Sequence, residues 1–189
     1  MLDEFPTAEI DEVADAEELI KKVMAAKWDV VVSDLSMPGR SGLDALQQIK
    51  ISHPDLPVLI LSIHPEEQYA LRALKSGASG YLSKDTAPDE LVKAVQKVLL
   101  GKKYISQSIA EKLANTFSSD AVMNPHENLS DREFDVMKLL ANGKSVSEIA
   151  EMLSLSVTTV STYRARVMVK MDLKSNSDLT KYAIENKLL

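Results

Sequence analysis

Two hydrophobic patterns divide the chain into an α/β part and an all-helical part. Up to residue 100, short continuous apolar runs alternate with stretches whose apolar residues recur every three or four positions. The runs at 30–33 and 58–62 are too short for helices and apolar on both faces, as buried parallel strands are. Weaker strand candidates lie at 80–83 and, as an edge strand, at 9–13. Helical periodicity predicts helices at 17–26, 42–52, 65–76 and 88–100.

This alternation of strands and helices predicts an incomplete doubly wound parallel sheet with helices on both faces, hence an α/β fold class. One more helix is predicted at 106–115, after Gly101. The residues that follow have no periodicity and contain turn formers, which is typical of a linker. The predicted organisation is therefore an α/β domain at 1–115, a linker at 116–128 and a helical domain at 129–189.

The helical domain has clear helix start signals. Ser130 with Glu133, and Ser145 with Glu148, have the spacing of capping boxes. Ser156 and Ser175 are further N-cap candidates. The predicted helices lie at 131–141, 146–153, 157–171 and 176–185. Only residues 154–156 separate the second helix from the third, and this spacing predicts a helix-turn-helix whose second helix enters the major groove.

A helical wheel divides the predicted third helix into two sides. One side is apolar and is expected to pack on the other helices: Val157, Val160, Val167, Met168 and Met171. The opposite side carries small and hydroxyl-bearing side chains that would let the helix approach base edges: Thr158, Ser161, Thr162, Ala165 and Val169, with Arg166 beside them. The helical pattern alone is also compatible with a four-helix protein-interaction domain, but the short turn and the polar outward side favour DNA binding.

From Leu129 to the C-terminus the chain resembles the LuxR-type DNA-binding domain, through the segments 129–133, 149–153 and 157–164. The resemblance implies a double-stranded DNA partner. It implies base contacts from Ser161, Thr162 and Ala165, and backbone contacts from Thr158, Arg164, Arg166 and Lys170. Many relatives have Lys at the position of Ser161. Arg164 also lies near the apolar edge of the wheel, so pairing with Glu148 or Glu151 is an equal alternative.

Composition and charge are those of an ordinary globular protein without thiol chemistry. The 189 residues carry a net charge of −6 and include no cysteine, which excludes disulfides and zinc–thiolate sites. From Leu129 onward, 9 Lys and Arg face 8 Asp and Glu, so the acidic excess lies in the first domain. No apolar run approaches the roughly 20 residues of a membrane span, and the N-terminus is not signal-like. The expectation is a cytoplasmic protein without a membrane partner.

Three polar residues lie at the ends of the predicted strands. Asp34, Ser62 and Lys84 end or follow three successive strands, where open α/β sheets bind ligands. A carboxylate, a hydroxyl and a cation together fit an acyl-phosphate site. Asp34 would attack phosphorus, Ser62 would donate to a phosphoryl oxygen, and Lys84 would offset its charge. For His64, which follows Ser62 closely, a solvated loop position is the favoured interpretation, and a position bordering this site is the alternative.

This part of the chain is similar to the receiver domain of bacterial two-component response regulators. The resemblance makes Asp34 the phosphorylated aspartate, Ser62 the switch hydroxyl, Tyr81 the switch aromatic and Lys84 the partner lysine. A receiver followed by a LuxR-type domain is the arrangement of NarL/FixJ-type regulators, transcription regulators that are not enzymes. It implies phosphorylation by a sensor histidine kinase, with Mg²⁺ bound by Asp34, the Ser36 backbone carbonyl and an acidic pair, followed by homodimerisation in the active state.

The chain departs from the receiver pattern at its start. The first strand, its acidic pair and most of the first helix are not recognisable, and neither Asp3-Glu4 nor Asp11-Glu12 follows an apolar strand. Magnesium binding is therefore in question. The alternative function is a phosphorylation-independent DNA-binding regulator whose receiver-like domain serves only for protein interaction or oligomerisation. An enzyme acting through Asp34 on a phosphate ester is disfavoured, because no second acid is visible.

Overall fold

A computed structural model describes residues 5–37, 40–85, 88–116 and 124–189. The chain forms two compact units, Met1–Ser119 and Asp120–Leu189. The predicted order, an α/β unit followed by an all-helical unit, is confirmed.

Three short strands and five helices build the described part of the first unit. The strands are β1 (Val31–Asp34), β2 (Val58–Ser62) and β3 (Gly80–Ser83). They form one parallel sheet in the order β1-β2-β3, with Val31 opposite Val58 and Leu59 opposite Gly80. The helices are α1 (Ala16–Ala25), α2 (Gly42–Ser52), α3 (Glu66–Lys75), α4 (Pro88–Leu99) and α5 (Gln107–Thr116).

The strands are parallel because each is followed by a helix that returns the chain to the same end of the sheet. The helix α4 buries its apolar side against the sheet, where Val95 and Val98 cluster with Leu59 and Leu82. Ser41 caps α2 through a capping box with Asp44, and Asp15 caps α1. The carboxyl ends of the three strands consequently lie side by side.

The prediction of an edge strand at 9–13 is wrong. The structure has no strand there, and Ile10 is 47 % exposed. A strand requires a neighbour to accept its backbone hydrogen bonds. Among the described residues, β1 pairs with β2, and no strand pairs with residues 9–13.

Four α-helices lie in the described part of the second unit: α6 (Asp131–Ala141), α7 (Val146–Met152), α8 (Val157–Met171) and α9 (Asn176–Glu185). Both predicted capping boxes are present, and Ser156 and Ser175 accept hydrogen bonds as N-caps. Gly143 follows the end of α6 with φ +81°, the left-handed conformation that glycine adopts at low cost.

A 3₁₀ helix, Pro125–Asn128, precedes α6. His126 Nδ1 lies 2.8 Å from the Tyr182 hydroxyl of α9, and its ring contacts Phe134 of α6. This 3₁₀ helix therefore lies within the segment assigned to the linker, whose residues 117–123 lie outside the described part.

Across the described ranges, every helix is too short or too polar to cross a membrane.

Candidate functional site

Asp34 lies at the carboxyl end of β1, and the start of α2 packs against this strand end. Leu35 donates its backbone N–H to the Leu61 carbonyl at 3.1 Å, and Gly42 donates to the Leu35 carbonyl at 2.9 Å. A Cβ at Gly42 would lie 2.0 Å from the Asp34 carbonyl oxygen, so only glycine permits this approach of helix to strand end. The position of Asp34 is thus fixed by the strand on one side and by the start of α2 on the other.

The Asp34 carboxylate accepts from two groups. Its Oδ1 accepts the Ser36 backbone N–H at 3.0 Å, and its Oδ2 pairs with the Lys84 ammonium. Lys84 is held at this edge because its backbone N–H donates to the Ser62 carbonyl at 2.7 Å. The side chains of Asp34 and Lys84 are 32 % and 38 % exposed, so the pair remains accessible from solvent. The structure therefore brings the predicted carboxylate and cation together.

Ser62, Tyr81 and His64 form a second, more buried group. Ser62 is fully buried, and its Oγ accepts the His64 backbone N–H at 3.0 Å. The Tyr81 hydroxyl donates to the His64 carbonyl at 2.9 Å, and its ring is buried. Burial raises the pKa of Tyr81 to about 12, so the phenol stays protonated and remains a donor. Ser62 and Tyr81 thus both bind the backbone of the loop after β2.

A hydrogen bond between Ser36 and His64 joins the two groups. Ser36 Oγ lies 3.0 Å from His64 Nε2, and the imidazole stacks on Tyr69 with ring centroids 4.9 Å apart. The sequence pattern favoured a solvated position for His64, and the structure instead places it at the site. Nothing in that pattern indicated that the Ser36 side chain reaches His64, because this contact spans 28 residues and depends on how two loops meet.

Asp34 is the predicted magnesium ligand whose carboxylate the described residues place at the strand ends. Mg²⁺ prefers oxygen ligands in octahedral geometry, and no group of three or more acidic or histidine side chains able to hold a metal is found among the described residues. Asp11 is paired with Lys22 at 2.5 Å. Asp3 and Glu4 lie outside the described part of the chain.

The long helix α8 has a buried side and an exposed side. Val160, Val167 and Met171 are buried, as predicted. The six residues expected to face outward are all exposed: Thr158, Ser161, Thr162, Ala165, Arg166 and Val169. One expectation is wrong, because Val157 is 51 % exposed and not packed. Val157 lies in the first turn, where the neighbouring helix α7 has already ended at Met152, so too little of the domain extends over it.

Two cations of α8 bind within their own unit. The Arg164 guanidinium donates to Asn176 Oδ1 at 3.1 and 2.9 Å, so its partner is neither Glu148 nor Glu151. Lys170 pairs with Glu133 Oε2 at 2.6 Å, and the Glu133 side chain is only 4 % exposed. Contacts of Arg164 and Lys170 with DNA stay predictions. The sequence pattern missed both partners, which lie 12 and 37 residues away.

The turn between α7 and α8 is tight. Ser154 adopts a left-handed conformation with φ 54°, and Leu155 donates its backbone N–H to the Ala150 carbonyl at 2.8 Å. Ser156 then caps α8 through its contact with the Thr159 backbone N–H. This geometry projects α8 away from α7 as the second helix of a helix-turn-helix does. The two units together define a class: an α/β domain with a strand-end aspartate, joined to a helix-turn-helix DNA-binding domain.

Comparison with known proteins identifies the family. Residues 1–96 match the response regulator receiver domain, and residues 127–183 match the bacterial regulatory proteins of the luxR family. The chain is 38 % identical over 187 residues to the oxygen regulatory protein NreC of Staphylococcus carnosus, covering 95 % of this chain and 86 % of that protein. It is 36 % identical over 180 residues to the response regulator UvrY of Escherichia coli K12, covering 95 % and 83 %.

A solved structure is similar as well. It is RcsB from Salmonella enterica serovar Typhimurium, bound to promoter rprA in the presence of the phosphomimetic BeF3⁻. The TM-score is 0.56 at 26 % identity, covering 89 % of this chain and 81 % of that one. The chain belongs to the response regulators that join a receiver domain to a LuxR-type DNA-binding domain, as the resemblance implied.

Proposed function

We propose that this regulator is phosphorylated at Asp34 by a sensor histidine kinase, and that phosphorylation favours a homodimer that binds promoter DNA through α8. In this scheme Ser62 and Lys84 contact the phosphoryl group. Tyr81 is the aromatic residue that responds to it, and Thr158, Ser161, Thr162, Ala165 and Arg166 meet DNA. Arg164 and Lys170 would add backbone contacts if they exchange their present partners for phosphates.

The position of Lys84 against Asp34 is the observation that carries the phosphorylation proposal. A phosphoryl group on Asp34 replaces the single negative charge of the carboxylate by about two charges spread over three oxygens. An ammonium already at Oδ2 offsets that charge without a rearrangement of the strand ends. Ser62 responds only if its Oγ turns from the His64 N–H towards the phosphoryl oxygens, and Tyr81 then loses the loop carbonyl to which it donates. The loop after β2 is thereby the element that phosphorylation moves.

The exposed side of α8 carries the DNA proposal. Its six outward residues lie on one side of a helix that begins after a tight turn, and none of them packs in the core. The similarity to RcsB, whose structure is bound to promoter rprA, supports DNA binding by this chain. A base-facing helix needs small or polar side chains and little self-contact, and α8 meets both conditions on this side.

A direct test is to incubate the full chain with acetyl phosphate in magnesium-containing buffer and to measure its intact mass. We expect the mass of one phosphoryl group to be added, and to be absent in Asp34→Ala. Asp85→Ala, changed at an exposed carboxylate next to Lys84, is the matched control and should still gain it. A gain that persists in Asp34→Ala would assign the acceptor elsewhere.

A second candidate is a regulator that binds DNA without phosphorylation. It is favoured by one observation: among the described residues, no group of three or more acidic or histidine side chains is placed to hold a metal ion. In this case the mass stays unchanged, Asp34→Ala binds DNA as well as the parent chain does, and the first unit serves for protein interaction. The two measurements together separate the candidates.

A further inference from the structure

The base-facing part of α8 has an unusual composition. From Val157 to Ala165 its exposed side chains carry only methyl and hydroxyl groups, and Arg166 is the first cation on this side. The exposed residues that precede it are Val157, Thr158, Ser161, Thr162 and Ala165. Arg164 is the cation that lies within this stretch, and its guanidinium donates two hydrogen bonds to Asn176 Oδ1.

This composition restricts which bases the helix can distinguish. Guanine is commonly read by a bidentate Arg or Lys and adenine by Asn or Gln, and none of these occurs among the five residues. Thr162 donates its hydroxyl proton to the Thr158 carbonyl at 3.0 Å, so that proton is not available to a base. Ser and Thr hydroxyls bond to more than one kind of base and therefore discriminate little, so the selective contact that this side can offer is apolar. The apolar feature of the major groove is the C5-methyl group of thymine.

Val157 is the residue best suited to such a contact. It is β-branched, 51 % exposed and placed in the first turn, the part of a recognition helix that meets base edges. A single exposed valine is ordinary on a protein surface. Val157, however, lies beside Thr158 and Ser161 at the start of α8, and the first turn of this helix carries no cation. This combination indicates that Val157 contacts a base.

We infer that α8 recognises its site mainly through thymine methyl groups, with Val157 as one of the contacting residues. The inference rests on the proposed DNA-binding role of α8 and adds the class of base that it selects. The preferred half-site is consequently rich in A·T pairs, and its affinity depends on the methyl group and not only on the thymine hydrogen-bonding edge.

The test replaces thymine by deoxyuridine, which removes the methyl group alone. A preferred sequence is first selected from random duplexes with the full chain, and each thymine is then replaced in turn while affinity is measured by fluorescence anisotropy. We expect a loss of about threefold to fivefold at one or more positions of each half-site, the worth of burying one methyl-sized group. In Val157→Ala, the loss at one of these positions should disappear.

Val169→Ala is the matched control. Val169 is 80 % exposed on the same helix, but it lies 12 residues after Val157, which is about 18 Å farther along the helix axis. Every deoxyuridine penalty should persist in this variant. Val157 is largely outside the core, so its substitution should leave the thermal unfolding of the chain nearly unchanged, which circular dichroism checks.

The outcomes separate this inference from the function on which it rests. A selected site that depends on guanines and is indifferent to deoxyuridine overturns the inference and leaves DNA binding intact. Penalties that persist in Val157→Ala overturn the role of Val157. Failure to select any preferred sequence, with α8 substitutions also without effect on binding, contradicts the proposed role of α8 itself.

Discussion

The pair formed by Glu133 and Lys170 allows a quantitative prediction about the DNA-binding unit. Glu133 completes the capping box at the start of α6, accepting the Ser130 backbone N–H at 2.8 Å. The same oxygen accepts the Lys170 ammonium of α8 at 2.6 Å, and Lys170 also lies 3.4 Å from the Asn128 carbonyl. One carboxylate therefore links the 3₁₀ helix, α6 and α8. The perturbation is Glu133→Gln, which keeps an acceptor for Ser130 and removes the charge.

The expected cost follows from the burial of each partner. A hydrogen bond to a charged group contributes about 1.5–3 kcal/mol. The Lys170 side chain is 41 % exposed, so solvent screening reduces this value, and we expect a loss of about 1 kcal/mol. For a unit of this size, 1 kcal/mol corresponds to a decrease in Tm of about 4–8 °C. Glu133→Ala also removes the capping acceptor and should cost about 2 kcal/mol.

The loss should depend on pH. Burial raises the pKa of Glu133, but the hydrogen bonds from Lys170 and from the Ser130 backbone outweigh it, so the pKa lies below its ordinary value of 4.5. A carboxyl group with a lowered pKa stabilises the folded state above its unfolded pKa, and this contribution is lost as the pH falls through the folded pKa. The parent chain and Glu133→Gln should therefore differ most near neutral pH and converge below pH 4.5.

The assay is thermal unfolding of the full chain, followed by far-ultraviolet circular dichroism. The fluorescence of Trp28, the single tryptophan, reports the first unit separately. Lys170→Met completes a double-mutant cycle, with an expected coupling of about 1 kcal/mol. If Glu133→Gln leaves Tm unchanged at pH 7, or if the coupling is zero, the pair does not hold the unit together as described.

Two further predictions concern the two candidate sites. Gly42→Ala places a Cβ 2.0 Å from the Asp34 carbonyl oxygen, so it should destabilise the first unit by about 1–3 kcal/mol and abolish phosphoryl transfer. The control Ser52→Ala, at the exposed end of α2, should do neither. Normal phosphoryl transfer to Gly42→Ala would contradict the described approach of α2 to β1. Arg166→Ala should weaken binding equally for all DNA sequences and reduce the slope of log K against log salt by about 1. An unchanged slope would show that Arg166 meets no phosphate.

The features that the sequence predicts well are those determined by near neighbours in the chain. The capping boxes at Ser130 and Ser145 link residues three positions apart, so local spacing is sufficient to recognise them. The strand ends that carry Asp34 and Lys84 lie 50 residues apart. They could still be predicted, because a regular alternation of strands and helices places all the carboxyl ends at one edge.

The features that the sequence does not predict depend on how elements meet. A helical wheel treats Val157 as part of an endless helix, whereas in the folded unit α7 has ended before it. The stretch 9–13 has some strand pattern but lacks a paired neighbour. Arg164 binds Asn176 because α9 begins beside it, and no charge pattern indicates an uncharged amide as its partner.

Protection of α8 by DNA tests the central claim most directly. The chain has no cysteine, so Thr162→Cys introduces a single thiol on the exposed side of α8, and Ile51→Cys introduces one on α2 at a position that is 84 % exposed. Saturating DNA should slow maleimide modification of the Thr162→Cys chain strongly and leave that of the Ile51→Cys chain unchanged. Equal modification rates of the Thr162→Cys chain with and without bound DNA would contradict the assignment of α8 as the recognition helix.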